Sequence, residues 1–233
     1  MANHGKKYTQ AAQGVQAEGI VPVEQALEKI KGLSFAKFDE SVDVDVNLGI
    51  DPSKGEQTVR GSVVLPHGRG KKVRVIVFAK GDQAEKAQQA GADVVGTDDL
   101  AQKIKGGWLE FDYAVATPDM MGLVGGLAKV LGPRGLLPNK KVGTVALEVA
   151  PVIEDLKKGK AFFRNDKAGI VHFSFGKVSF DAQKLRDNLE AFVRALAASK
   201  PPSSKGKFLR KISLSSTMGP GISVNPDEVL SFA

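Results

Sequence analysis

Residues 66–79 read PHGRGKKVRVIVFA, and the change of pattern inside them decides the fold. Upstream, Val42, Val44, Val46 and Leu48 alternate with Ser41, Asp43, Asp45 and Asn47. A period of two puts the apolar set on one face of a strand and the polar set on the other, which stays wet. Downstream, residues 73–79 are apolar except for Arg74, the pattern of a strand covered on both faces. A proline, two glycines, Arg69, Lys71 and Lys72 separate the two styles.

Working outward, residues 6–17 read as a polar helix. Residues 23–33 read as a second helix, with Pro22 at its start and Ala26, Leu27, Ile30 and Leu33 on one face. Strands at 42–48 and 59–65 are expected to pair as an antiparallel hairpin around the loop 49–55. After residue 79, strands and helices alternate. The expected order is helix 82–90, strand 93–95, a helix capped by Thr97 that runs to Ile104, and strand 113–116. Thr117-Pro118-Asp119 then opens a helix containing Met120, Leu123 and Leu127, in which Gly122, Gly125 and Gly126 permit close packing. A strand at 142–147 and a helix at 151–158 complete a small parallel α/β sheet with helices on both faces. After Lys160 the earlier style returns. Strands 161–164 and 170–178 flank the turn 165–169, and Asp181 starts a helix with Leu185, Leu189, Phe192, Val193 and Leu196 on its core face. The expected architecture is a discontinuous α+β domain, residues 1–66 and 160–233, with an antiparallel sheet and helices on one of its faces. Residues 67–159 form an inserted parallel α/β domain. The crossings, at Pro66, Gly68 and Gly70 and at Gly159, are expected to act as a hinge.

Composition narrows the function. Of 233 residues, 42% are hydrophobic and 25% charged, ordinary for a soluble globular chain. The absence of cysteine excludes disulfides and thiolate metal sites. His4, His67 and His172 are too scattered in sequence to suggest a metal, so none is expected. No apolar run approaches a membrane span, and the first residues lack the apolar core of a signal peptide, so a cytoplasmic protein without a membrane partner is expected. The net charge of +7 points to a polyanionic partner. That charge is uneven: −2 over residues 1–66, +3 over 67–159 and +6 over 160–233.

No phosphate-binding glycine motif follows the 73–79 strand, and no nucleophile–base constellation or carboxylate pair stands out, so no enzyme is expected. The loop 131–141, LGPRGLLPNKK, has a path fixed by two glycines and two prolines. Leu136 and Leu137 are expected to anchor it, and Arg134, Lys140 and Lys141 charge it. It reads either as a rigid capping loop or as a secondary contact for RNA or a partner. Near the end, Ile212 and Leu214 alternate with Lys211, Ser213 and Ser215 before Thr217-Met218-Gly219-Pro220-Gly221. This reads either as a solvated turn or as a surface whose hydroxyls and bare amides meet phosphates and ribose 2′-OH groups.

Four motifs in order, KFDESVDV (37–44), KVLGPRGLLPNKKVGTV (129–145), FRNDKAG (163–169) and SSTMGPG (215–221), resemble those of the bacterial large-subunit ribosomal protein L-one family across essentially the whole chain. The resemblance implies that the discontinuous domain grips 23S ribosomal RNA and that the inserted domain is Rossmann-like without a cofactor. It implies a monomer at the tip of the mobile stalk, assisting release of exit-site tRNA and repressing its own messenger RNA. The RNA surface it implies uses Lys37, Phe38, Glu40, Asp166, Lys167, Ser215, Thr217, Met218 and Gly219. Phe38 reads as a wedge against ribose or base, or as a core aromatic. Glu40 and Asp166 would accept from 2′-OH groups or base amines, or orient a neighbouring cation. His172 reads as structural. A regulator that binds messenger RNA alone and a nucleotide-dependent enzyme are the alternatives, separated by sedimentation with large subunits and by dialysis against ATP or NAD.

Overall fold

The computed structural model describes residues 5–16 and 19–230. His4 and Ala17 lie outside the described residues, as does the side chain of Lys141. The chain is a mixture of helices and several sheets and divides into two compact units, residues 1–70 with 161–233, and residues 71–160.

The first unit is built on a five-stranded sheet with the order Ile20–Val21, Ile222–Val224, Leu209–Ser216, Ser41–Leu48, Ile170–Lys177. The first pair is parallel and the others antiparallel. Alternation along Ser41–Leu48 does what its period requires: Val42, Val44, Val46 and Leu48 are buried, and the residues between them are half-exposed. Helices Val23–Leu33 and Ala182–Ala198 cover the apolar face, supplying Ala26, Leu27, Ile30, Leu185, Leu189, Phe192, Val193 and Leu196 to one core. Phe192 stacks on Phe173 at 4.3 Å and meets Phe163 edge-on at 5.6 Å.

The expected hairpin of 42–48 with 59–65 does not form, and the strands on either side of the 165–169 turn part as well. Ser41–Leu48 does not pair with its successor; its partners are Ile170–Lys177 and Leu209–Ser216. Arg60–Val64 joins Lys160–Arg164 in a separate two-stranded sheet. An eight-residue strand makes more ladder bonds and buries more cross-strand surface against eight-residue partners than against a five-residue neighbour. Lys160–Arg164 and Ile170–Lys177 also belong to different sheets, linked by an isolated bridge between Asn165 and Val171.

The second unit holds a three-stranded parallel sheet, Val94–Gly96, Val75–Phe78, Tyr113–Ala116, with Val75–Phe78 central. All four central residues are buried. Ile76 and Phe78 join a core with Leu100, Ile104 and Phe111. Helix Asp82–Gln89 packs on the strand and on helix Ala150–Lys158. The expected strand at 142–147 reduces to one parallel bridge, Ala116 to Val145. The expected helix after Thr117 is broken into Pro118–Met120, Met121–Gly125 and Ala128–Leu131. Its glycines explain the break: Gly122 and Gly125 have open space around them instead of a packed neighbour, so they weaken the helix without serving a contact. Thr97 and Thr117 stand at N-cap positions but make no capping hydrogen bond. No helix among the described residues is long and apolar enough to cross a membrane.

Candidate nucleic-acid interface

Glu40 closes one end of the first unit's sheet. Its side chain is fully buried, although the sequence reading put it on the RNA surface. One carboxylate oxygen accepts from Ser34 Oγ at 2.8 Å, Ala36 N at 2.9 Å and Phe35 N at 3.2 Å. The other accepts from Met218 N at 3.1 Å, across 178 residues of sequence. Burial pushes the Glu40 pKa up, but hydrogen bonds from Ser216, Ala36, Met218 and Ser34 outweigh it and bring the pKa down to about 2. With every lone-pair direction engaged, this carboxylate has nothing left for RNA. It clasps the 34–40 loop to the 216–219 turn.

The clasp turns the residues around it outward. Asp39 accepts from Ser179 N at 3.1 Å and Ser179 Oγ at 2.9 Å, so Phe38 stands in a short span anchored at Ala36 and at Asp39. Phe38 is 56% exposed and Met218 49%, so neither is a core residue. Lys37 is exposed and makes no ion pair among the described residues. Thr217 is exposed but committed: its Oγ1 accepts from Ser41 N at 2.9 Å, and its own N–H donates to Ser41 O at 3.1 Å. A Cβ on Gly219 would lie 2.5 Å from Ser216 Oγ, so either that hydroxyl or the turn would have to shift. Ser215, paired with Asp43, lies on the polar face of the sheet.

Asp166 and Lys167 lie at the other end. The pairing of Asp43 with Ser174 and of Asn47 with Ile170 runs the length of the strand, so this turn is about 20 Å from the Glu40 clasp. Asp166 Oδ1 accepts from Ala168 N and Ile170 N, both at 2.8 Å, and these bonds, led by Ile170, lower its pKa. Asp166 therefore organises the turn. Lys167 and Arg164 are exposed, make no ion pair among the described residues, and share an open groove with Pro52, Thr58 and Asn165.

Between the two ends runs a polar face that the sequence reading left out. Asp43 lies between Ser215 and Ser174 on the neighbouring strands, Asp45 between Ser213 and His172, and Asn47 between Lys211 and Ile170. His172 is not a core residue: its side chain is 59% exposed, with Nδ1 at 2.6 Å from Asp45 Oδ1 and Nε2 at 3.6 Å from Asp166 Oδ2. The alternation of 41–48 showed that such a face exists. Which residues flank each carboxylate depends on strand pairing, and no local pattern carries that.

In the second unit, Arg134 and Lys140 are exposed and free of ion pairs among the described residues, while Leu136 and Leu137 pack against the core. Thr144 Oγ1 accepts from Asn139 N at 2.8 Å and steadies the loop. At the crossings, buried Asn188 accepts from His67 N at 3.1 Å and donates to Gly68 O at 2.9 Å, so the segment after Pro66 is pinned to the first unit. Gly159, with φ +115, ends helix Ala150–Lys158 in the left-handed region.

A family model described as the ribosomal protein L1p/L10e family matches residues 27–220. The match spans most of the 233 residues, and the chain belongs to that family. It is thus a structural, non-enzymatic protein of the large ribosomal subunit that binds ribosomal RNA, located in the cytoplasm.

Proposed function

From this membership we propose that the chain binds 23S ribosomal RNA along the open face of the first unit's sheet. Lys37, Phe38, Ser215, Thr217, Met218 and Gly219 hold one end of the RNA, and Lys167 with Arg164 holds the other. Glu40 and Asp166 position those contacts from behind. The observation that carries the reading is the Glu40 clasp, which brings the 34–40 loop and the 216–219 turn into one exposed patch. The amides of Thr217, Met218 and Gly219 are taken up within the protein, so the bare amides expected of this turn are not there. Its hydroxyl, the exposed aromatic and the exposed thioether suit a folded RNA recognised by shape, 2′-OH groups and stacking.

The remaining roles rest on the family resemblance. The chain acts as a monomer at the mobile stalk, assists release of exit-site tRNA, and represses its own messenger RNA through the same sheet face. The charge of the 131–141 loop, rather than the resemblance, makes Arg134, Lys140 and Lys141 a secondary contact for RNA or a partner. Movement between the units turns on Gly70–Lys71 and Gly159–Lys160, because Asn188 holds the chain at Gly68.

Filter-binding titration of large-subunit ribosomal RNA against Phe38→Ala and Met218→Ala tests the site. Each variant should weaken binding by about 1–3 kcal/mol, the scale of one stacked base. Unchanged affinity in both removes the site. The same variants should lose the chain's own messenger in parallel; retention of messenger binding alone would separate the two activities.

A further inference from the structure

We infer that His172 sets the charge of the RNA-bearing sheet face: as imidazolium it masks Asp45 and Asp166 and lets the phosphate backbone cross, and as neutral imidazole it leaves two carboxylates that repel it. The inference deepens the proposed RNA surface and rests on it.

The middle of that face is acidic, which is unexpected for a surface facing a polyanion. Asp43 and Asp45 project from the central strand two residues apart, and Asp166 approaches from the turn. Asp43 is flanked by serines, and Ser174 gives it a hydrogen bond. Asp166 is partly offset by the two backbone N–H groups on its Oδ1. The Asp45 carboxylate has one hydrogen-bond partner among the described residues, His172.

The other charged groups around the face leave the central position to His172. Lys211 is one row away, beside Asn47. Lys177 is at the far end, donating to Asp39 O at 3.2 Å and Ser41 Oγ at 3.0 Å. Arg69 is felt by Asp43, and Lys167 is on the turn. His172 Nδ1, 2.6 Å from Asp45 Oδ1, is the one ionisable nitrogen in hydrogen-bond contact with that carboxylate among the described residues, so the cation it meets is the imidazolium.

The hydrogen bond to Asp45 raises the His172 pKa above 6.5; burial opposes this, and the charges of Asp45 and Asp166 add to it. The proton is therefore lost on the alkaline side of the ordinary histidine value, over a range in which the phosphodiester charge of RNA is constant. One unit charge a few ångströms from a phosphate, in the dielectric of a protein surface, is worth about tenfold in affinity.

The test is filter binding to deproteinised large-subunit ribosomal RNA from pH 6 to 9 at constant salt. Wild-type affinity should fall about tenfold as pH rises. His172→Gln should bind weakly with no slope, His172→Arg should hold the tight level throughout, and Asp45→Asn should bind more tightly than wild type at pH 9. A flat wild-type profile, or the wild-type slope persisting in His172→Gln, overturns the inference. If that happens while Phe38→Ala and Met218→Ala still weaken binding, the surface stands and the switch falls. If those two variants bind like wild type, the surface itself is wrong.

Discussion

Ser41–Leu48 and Val75–Phe78 are both central strands, yet the first buries alternate residues and the second buries all four. In the first unit helices cover one face, and the other face is left to Asp43, Asp45, Ser174, Ser213 and Ser215. In the second unit the strand is enclosed, and exposed charge appears on loops such as 131–141. The difference teaches where recognition can be built. A sheet with a free face holds side chains in fixed rows 4.7–4.9 Å apart, whereas a covered sheet leaves recognition to its connections.

The largest effect expected from this contrast lies at Glu40. Glu40→Ala strands Met218 N, Ala36 N and Ser34 Oγ behind the patch, and should destabilise the first unit by about 3 kcal/mol. RNA affinity should fall more than in either Phe38→Ala or Met218→Ala. Urea denaturation followed by probes in each unit should show the loss in the first; an equal loss in the second would break the comparison.

Acid should act at the same place. The folded pKa of Glu40 is about 2 against an ordinary value of 4.5. The stability it contributes is complete above about pH 4.5 and is lost as pH falls toward 2. Melting temperature of the wild type should therefore drop more steeply through that window than that of Glu40→Gln. Parallel curves would mean that the clasp does not form.

A smaller change tests the turn's close approach. Gly219→Ala places a methyl against Ser216 Oγ, and should cost about 1–3 kcal/mol in RNA affinity through displacement of the turn. Wild-type affinity in this variant would mean that the turn can move without consequence.

The smallest effect separates the sheet face from the 131–141 loop. Lys37→Ala and Lys167→Ala should each reduce the slope of log affinity against log salt by about one, as loss of one phosphate contact does. Arg134→Ala should change that slope less in binding to isolated RNA. A larger change for Arg134 would move the main contact into the second unit.

Local pattern carried a good deal of this. Period two along 41–48 and helical spacing along 182–198 named the core residues correctly, because burial of one face imposes its period on the chain. The pattern failed where glycines interrupt it, as in the helix expected after Thr117. It also failed where strands choose distant partners, as 41–48 does. Motif resemblance proposed Phe38, Met218, Lys37 and Lys167 as contacts, and the structure leaves all four exposed. Glu40 and Asp166 were legible as part of the site, but their roles were not. Whether a carboxylate faces solvent or is saturated by N–H groups depends on backbone that arrives from elsewhere in the chain.

The order of apolar and polar residues alone determined which segments have one wet face, and the four motifs carried the family resemblance; the second unit was expected from residue 67 and its compact part runs from Lys71 to Lys160. Strand order, the buried clasp and the placing of His172 between Asp45 and Asp166 were decided only in three dimensions. Periodicity is a property of neighbours along the chain, whereas these features join residues more than a hundred positions apart, and the free energy that selects their partners exists only once the sheet has closed.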